Sequence, residues 1–131
     1  MTSKYLTTIC LILGTMLPLI VDTGHTHLLN PDWDAHSRVH EVWRLSTNIL
    51  IAGIGLYLLW VSNYLLLPAL LSSCIVLGFF SSIFTMSLYG GVPIGEGIEE
   101  PNPFGIPANI FVFIIIGIIQ SVSFIFLFKN R

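Results

Sequence analysis

The sequence contains few charged residues. Asp, Glu, Lys and Arg make up only 9% of its 131 residues, whereas about a quarter of an average soluble domain is charged. Hydrophobic residues make up 54% of the chain, and its mean hydropathy is +0.86. The scarcity of charge argues against a soluble globular domain and indicates an integral membrane protein.

Cysteine and clusters of basic residues are also scarce. The two cysteines, Cys10 and Cys74, both lie inside apolar runs, and their separation gives neither a disulfide framework nor a CxxC metal spacing. We therefore expect both to be small buried hydrophobic residues. The five basic residues form no continuous run, which argues against a nucleic-acid-binding surface.

Long apolar runs, by contrast, dominate the chain. A helix of about 20 residues crosses a hydrocarbon core of about 30 Å, and these runs are close to that length without the alternation of membrane strands. We therefore predict an all-α membrane protein with one domain over 1–131, a bundle of four transmembrane helices with an extracytoplasmic polar cap. The predicted spans cover about 5–21, 45–61, 65–89 and 108–128.

The first apolar run has an alternative interpretation. A charged start at Lys4 followed by an apolar stretch is also typical of a signal peptide. No small-x-small cleavage site follows, because residues 21–24 read Val-Asp-Thr-Gly. We therefore expect a retained helix.

The predicted topology places two polar segments together. Four spans put both termini on one side of the membrane, and segments 22–44 and 90–107 on the other. Lys4, Lys129 and Arg131 lie near the termini, against two arginines in the other segments. The positive-inside rule then predicts that both termini are cytoplasmic.

Segment 22–44, called the polar segment below, gathers most of the ionisable groups. It holds all four histidines, two of the three tryptophans and four of the seven acids. An Asn-Pro pair is typical of a helix N-cap and first helical position, so we expect the second helix to begin near Asn30. His36, His40 and Arg44 then recur every four residues on one helix face, which we expect to point into the bundle.

The histidines of the polar segment predict a metal site. Two imidazoles four residues apart can reach one ion from a single helix, and a His-x-His pair just after the first helix supplies two more nitrogens. Mixed nitrogen and oxygen ligands suit zinc or iron, and the lack of a nearby Cys or Met argues against Cu(I). The predicted ligands are His25, His27, His36, His40 and Glu99; other carboxylates that could serve are Asp22, Glu41, Glu96 and Glu100.

The same part of the chain allows acid–base chemistry without a metal. Histidine side chains titrate near neutral pH and can pass protons, so His36, His40 and Arg44 are candidate catalytic residues for a lipid-like substrate. Arg44 could hold an anionic head group, or it could pair with Asp22 or Glu41. A plainer explanation also stands, since His and Trp side chains favour a membrane interface where one end stays wet.

The spacing of these residues also carries a resemblance. The run His25-x-His27-Leu28-x-Asn30-Pro31-x-Trp33-x-x-His36-x-x-x-His40 resembles a pattern of small, uncharacterised four-helix membrane proteins of unknown-function families. The similarity covers roughly the first two helices. It implies the same architecture and the importance of these positions, and it implies no reaction.

Two functional hypotheses follow from the sequence. The leading one is a His/Glu site at the outer membrane interface that binds a metal or acts on a lipid-like ligand. Segment 90–107 would cover this site, with Glu96, Glu99 or Glu100 approaching the polar segment. The alternative is a non-catalytic membrane subunit or assembly factor that docks a partner protein through the polar cap.

Overall fold

The computed structural model describes residues 1–95, 99 and 101–129, and every regular element within these residues is helical. The α-helices are α1 (Thr2–Asp22), α2 (Ala35–Trp60), α3 (Leu66–Phe84), α4 (Met86–Tyr89) and α5 (Ala108–Lys129), and a short 3₁₀ turn covers Pro103–Gly105.

Four of these helices are long and apolar enough to cross a membrane. They are α1, α2, α3 and α5, with 21, 26, 19 and 22 residues. Only 22% to 33% of the most apolar window of each helix is buried inside the bundle. Most of their apolar surface therefore faces outward, as expected where lipid replaces water. The predicted all-α fold with four such helices is confirmed.

Long helices that follow one another in the chain run antiparallel. Near the end of α2, the indole Nε1 of Trp60 donates to Oγ1 of Thr8, near the start of α1, at 3.0 Å. Within α5, Nε2 of Gln120 donates to the carbonyl oxygen of Ala69, near the start of α3, at 3.2 Å. The first contact pairs the start of α1 with the end of α2. The second, together with the stacked rings of Phe113 in α5 and Phe79 in α3, orders α5 against α3 in the same way.

A buried cluster of hydroxyl groups joins the start of α1 to the end of α5. Thr7 Oγ1 lies 2.8 Å from Ser123 Oγ, and Ser3 Oγ lies 3.1 Å from the same atom. Ser123 Oγ also donates to the carbonyl oxygen of Ser3 at 3.0 Å. The start of α1 and the end of α5 therefore lie at one end of the bundle, and the polar segment lies at the other.

The core forms around α1, which packs against α2, α3 and α5. Leu11 of α1 is fully buried and contacts Ala52 of α2 and Ile75 of α3. Its approach to α2 depends on Gly55, because a Cβ atom at that position would lie 2.9 Å from Cδ1 of Leu11. Small residues allow this kind of close helix contact in membrane bundles.

The third apolar run is not one continuous helix over 65–89. α3 ends at Phe84, and Oγ1 of Thr85 donates to the carbonyl oxygen of Ser81 at 2.7 Å. The backbone N–H of Thr85 donates to the same carbonyl oxygen at 3.1 Å, so the hydroxyl shares this acceptor with the last helical hydrogen bond. The short α4 follows and ends at Tyr89. Its C-cap is Gly90, which has a φ of +71°.

The two cysteines differ in burial. Cys10 is buried, as predicted, whereas Cys74 is exposed on α3. The prediction for Cys74 was wrong because the outer surface of this bundle is as apolar as its core. An apolar run therefore does not distinguish its buried side chains from its outward-facing ones.

Candidate functional site

The second helix begins later than predicted, at Ala35 and not near Asn30. The side chain of Asn30 accepts from the backbone N–H of Asp32 at 3.0 Å, which forms a local turn. The helix instead starts at Ala35, where Asp34 is the N-cap and its carboxylate accepts from the backbone N–H of Ser37 at 3.0 Å. Asn and Asp serve equally well as caps. Here the Asn30 side chain forms the local turn and Asp34 caps the helix.

Arg38 holds this turn together, and sequence reasoning missed it. Its Nη2 donates to the carbonyl oxygens of Asn30, Pro31 and Trp33, at 2.7, 3.2 and 3.3 Å. One signal was present in the sequence. A cation in the first turn of a helix opposes the helix dipole, so Arg38 needed another reason to be there.

Arg44 joins the end of α1 to α2. Its Nη2 donates to the carboxylates of Asp22 and Glu41, and its Nε donates to Glu41 at 3.1 Å. The Asp22 and Glu41 side chains are only 19% and 11% exposed. Of the two roles considered for Arg44, pairing with acids of its own chain therefore has direct support.

His36 and His40 lie next to each other on α2. Their Nε2 atoms are 3.0 Å apart, and their ring centroids are 4.5 Å apart. The His40 ring also stacks on Trp43, with centroids 6.1 Å apart. Both histidines are exposed, so they do not point into the bundle as predicted, and each finds its partner in the other.

The other two histidines lie elsewhere in the polar segment. Nδ1 of His27 is 2.9 Å from Oγ1 of Thr26 and 4.0 Å from Oδ1 of Asp22, and its ring meets Trp33 edge-on. His25 is exposed. The four imidazoles do not converge, and within 1–95, 99 and 101–129 no three His, Cys, Asp or Glu side chains form a group suited to a metal ion.

The first nine residues of α2 extend beyond the end of α1. Arg44 pairs with Asp22, which is the last residue of α1, so residues 35–43 continue past that level. At 1.5 Å per residue they project by about 13 Å. This projection brings the His36–His40 pair clear of the bundle.

A shallow depression lies at the base of the projection and encloses about 620 Å³. It is open to the surroundings, and His40, Glu41 and Arg44 line one side of it. The remaining lining residues come from the turn before α2 and its first turn: Asp32, Trp33, Asp34 and Ser37. One of the paired histidines, His40, therefore lines this open depression.

The segment predicted to cover the site contacts α5 instead. Nδ2 of Asn109 donates to the carbonyl oxygen of Pro93 at 2.8 Å, and the N–H of Ala108 donates to that of Pro101 at 3.1 Å. Between its described residues and the polar segment there is no hydrogen bond or ion pair, and Glu99 is exposed. The other two candidates, Glu96 and Glu100, lie outside the described residues.

No protein-family model matches this chain, and no curated protein or solved structure matches it either.

Proposed function

We propose that this chain is a multi-pass membrane protein with four spans, cytoplasmic termini and an outer polar cap. The four long apolar helices and their outward apolar faces support insertion. Their antiparallel order places the polar segment at the end of the bundle opposite Lys4 and Lys129, and cations near the termini favour a cytoplasmic location for them.

We further propose that the outer cap binds a divalent metal ion through the Nε2 atoms of His36 and His40. The 3.0 Å separation of these two atoms is the observation that carries the proposal. Two nitrogens on a tetrahedral zinc ion, each about 2.0–2.1 Å from it, lie about 3.3–3.4 Å apart. The pair needs to open by only a few tenths of an ångström.

Two histidines leave other coordination positions open. Water can occupy them, as can an anionic oxygen of a lipid-like ligand in the depression beside His40. The two histidines alone suit Zn²⁺ or iron, because imidazole binds both metals. Arg44 has a positioning role here, since its donors hold Asp22 and Glu41 and thereby fix the projection.

A calorimetric zinc titration of the purified, untagged protein in detergent tests this proposal. We expect saturable binding by the wild type after treatment with a chelator. His36→Gln and His40→Gln should each weaken binding at least tenfold, because one remaining imidazole cannot chelate. His25→Gln is the matched control and should bind as the wild type does.

Two outcomes of the titration would contradict the metal site. One is a wild-type protein that binds no zinc. The other is an equal loss for His25→Gln and His36→Gln, which would show that histidines anywhere in the polar segment bind zinc loosely.

One observation favours the alternative of a non-catalytic subunit or assembly factor. The projection also exposes apolar side chains, with Val39 61%, Val42 48% and Trp43 66% exposed. Apolar and aromatic residues are typical of docking surfaces. The zinc titration separates the two functions, because docking through these side chains requires no metal.

A further inference from the structure

A second polar arrangement lies at the opposite end of the bundle, around Lys4. Nζ of Lys4 donates to Oδ1 of Asn63 at 3.1 Å and lies 4.4 Å from the centre of the Trp60 ring. The ring of Tyr5 meets the same tryptophan edge-on at 5.6 Å. Aromatic rings of this kind are enriched where a membrane meets water.

The charge at this end is positive. The described acids Asp22, Asp32, Asp34, Glu41 and Glu99 all belong to the opposite end of the bundle or the segment that joins its helices there. Among the described residues, Lys4 forms no ion pair. Its ammonium group has three donors, and Asn63 accepts only one of them.

An apolar groove begins beside Asn63. It encloses about 620 Å³, and most of its lining area comes from apolar side chains of α3 and α5, including Leu67, Leu70 and Phe126. Asn63 belongs both to the groove and to the Lys4 contact. This end therefore places a cation with unused donors next to a residue that lines an apolar groove.

Asn63 itself is held in an unusual conformation. Its φ of +56° lies in the left-handed region, which asparagine tolerates better than most residues. The amide oxygen of Asn63 accepts from Lys4, so its amide nitrogen is left to donate outward. One charged and one neutral donor group therefore lie on neighbouring side chains at this end of the bundle.

We propose that this end binds an anionic phospholipid of the cytoplasmic leaflet. Lys4 and the Asn63 amide donate to the head-group phosphate, and one acyl chain lies in the groove along Leu67 and Leu70. The negative head group complements the positive charge at this end of the bundle. A neutral lipid has no net negative charge to complement it. This inference rests on the proposed membrane insertion and is independent of the metal site.

Native mass spectrometry of the purified protein tests the lipid site. The protein is exposed to equal amounts of phosphatidylglycerol and phosphatidylcholine with identical chains, and the retained lipids are counted. We expect the wild type to retain the anionic lipid roughly fivefold more, the factor that about 1 kcal/mol per cation near anionic lipid provides. Lys4→Gln should bring this ratio close to one, and Lys4→Arg should preserve it.

Two further variants separate a site from diffuse attraction. Lys129→Gln removes a cation from the same end of the bundle and should leave the ratio unchanged. Leu70→Trp fills the groove and should lower retention of the anionic lipid. Equal retention of both lipids by the wild type would overturn the proposal, as would an equal loss for Lys4→Gln and Lys129→Gln or full retention by Leu70→Trp.

Discussion

At the scale of single residues, some side chains of the polar segment hold the chain in place, and others remain exposed and could bind a ligand. Arg38 binds three backbone carbonyls, and Arg44 binds the carboxylates of Asp22 and Glu41. His36 and His40 contact each other and are exposed. In the proposed metal site the two histidines would hold the ion, while the arginines hold the backbone and the helix junction around them.

Removing the Arg44 charge should loosen the junction between α1 and α2. Arg44→Gln leaves two partly buried carboxylates near each other without a cation, so we expect a loss of about 1–2 kcal/mol in the free energy of unfolding. Equilibrium unfolding in mixed detergent micelles measures this change. Asp32→Asn is the matched control, because this acid lies in the same segment without an arginine partner and should have little effect. Equal effects of the two variants would show that the Arg44 pairs contribute nothing.

Sequence reasoning reached part of this residue-scale description. It gave the spacing of His36 and His40 correctly, and it included the Arg44 pairs among its alternatives. It predicted that this helix face points into the bundle, whereas all three residues are exposed and only Arg44 contacts another helix, through Asp22 of α1. The direction depends on where α1 stops relative to α2, and no local pattern in the polar segment encodes that length difference. Arg38 was missed because its three partners are backbone atoms.

At the scale of helices, α1 and α5 are joined by hydroxyl groups rather than by charge. Ser123 contacts both Ser3 and Thr7, and all three residues are buried. Within lipid there is no hydrophobic gain from bringing two apolar helices together, so packing and polar contacts between helices provide the association energy.

Ser123→Ala should therefore weaken the contact between α1 and α5. We expect a loss of about 0.5–2 kcal/mol in the free energy of unfolding, the range measured for hydrogen bonds between membrane helices. Ser121→Ala is the matched control on the same helix, because the Ser121 hydroxyl is exposed and donates to Gly117 of its own helix. Thermal unfolding in detergent compares the two variants. If Ser121→Ala costs as much as Ser123→Ala, the hydroxyl cluster does not join the helices.

The existence of the helices followed from the sequence, whereas some of their ends did not. Apolar runs of membrane length predict helices because every backbone group in lipid must be paired internally. Helix ends depend on local competition between capping residues. Here Asp34, not Asn30, caps the start of α2, and α3 ends early with Thr85 as its C-cap. The outcome depends on small differences in free energy, because several residue types can cap a helix about equally well.

At the scale of the whole molecule, the bundle separates charge by its two ends. The polar segment lies at one end, and Lys4 and Lys129 lie at the other. The order of the apolar runs was enough to predict this separation. Which helices touch was not predictable, since α3 and α5 are apolar on all sides and present no distinct inner face.

The central claim is that these two ends lie on opposite sides of a membrane. Labelling single cysteines with a membrane-impermeant maleimide tests it on right-side-out vesicles. Cys74 is exposed and would be replaced by alanine, whereas Cys10 is buried and can stay. The single cysteines are placed at exposed positions outside the buried hydroxyl cluster. These positions are Thr2, Thr26, Gly95 and Lys129.

The account predicts that cysteines at Thr26 and Gly95 are labelled in intact vesicles. Those at Thr2 and Lys129 should be labelled only after the membrane is permeabilised. Labelling of Thr2 and Lys129 from opposite sides would contradict the account, because the number of crossings between these two positions would then be odd instead of four.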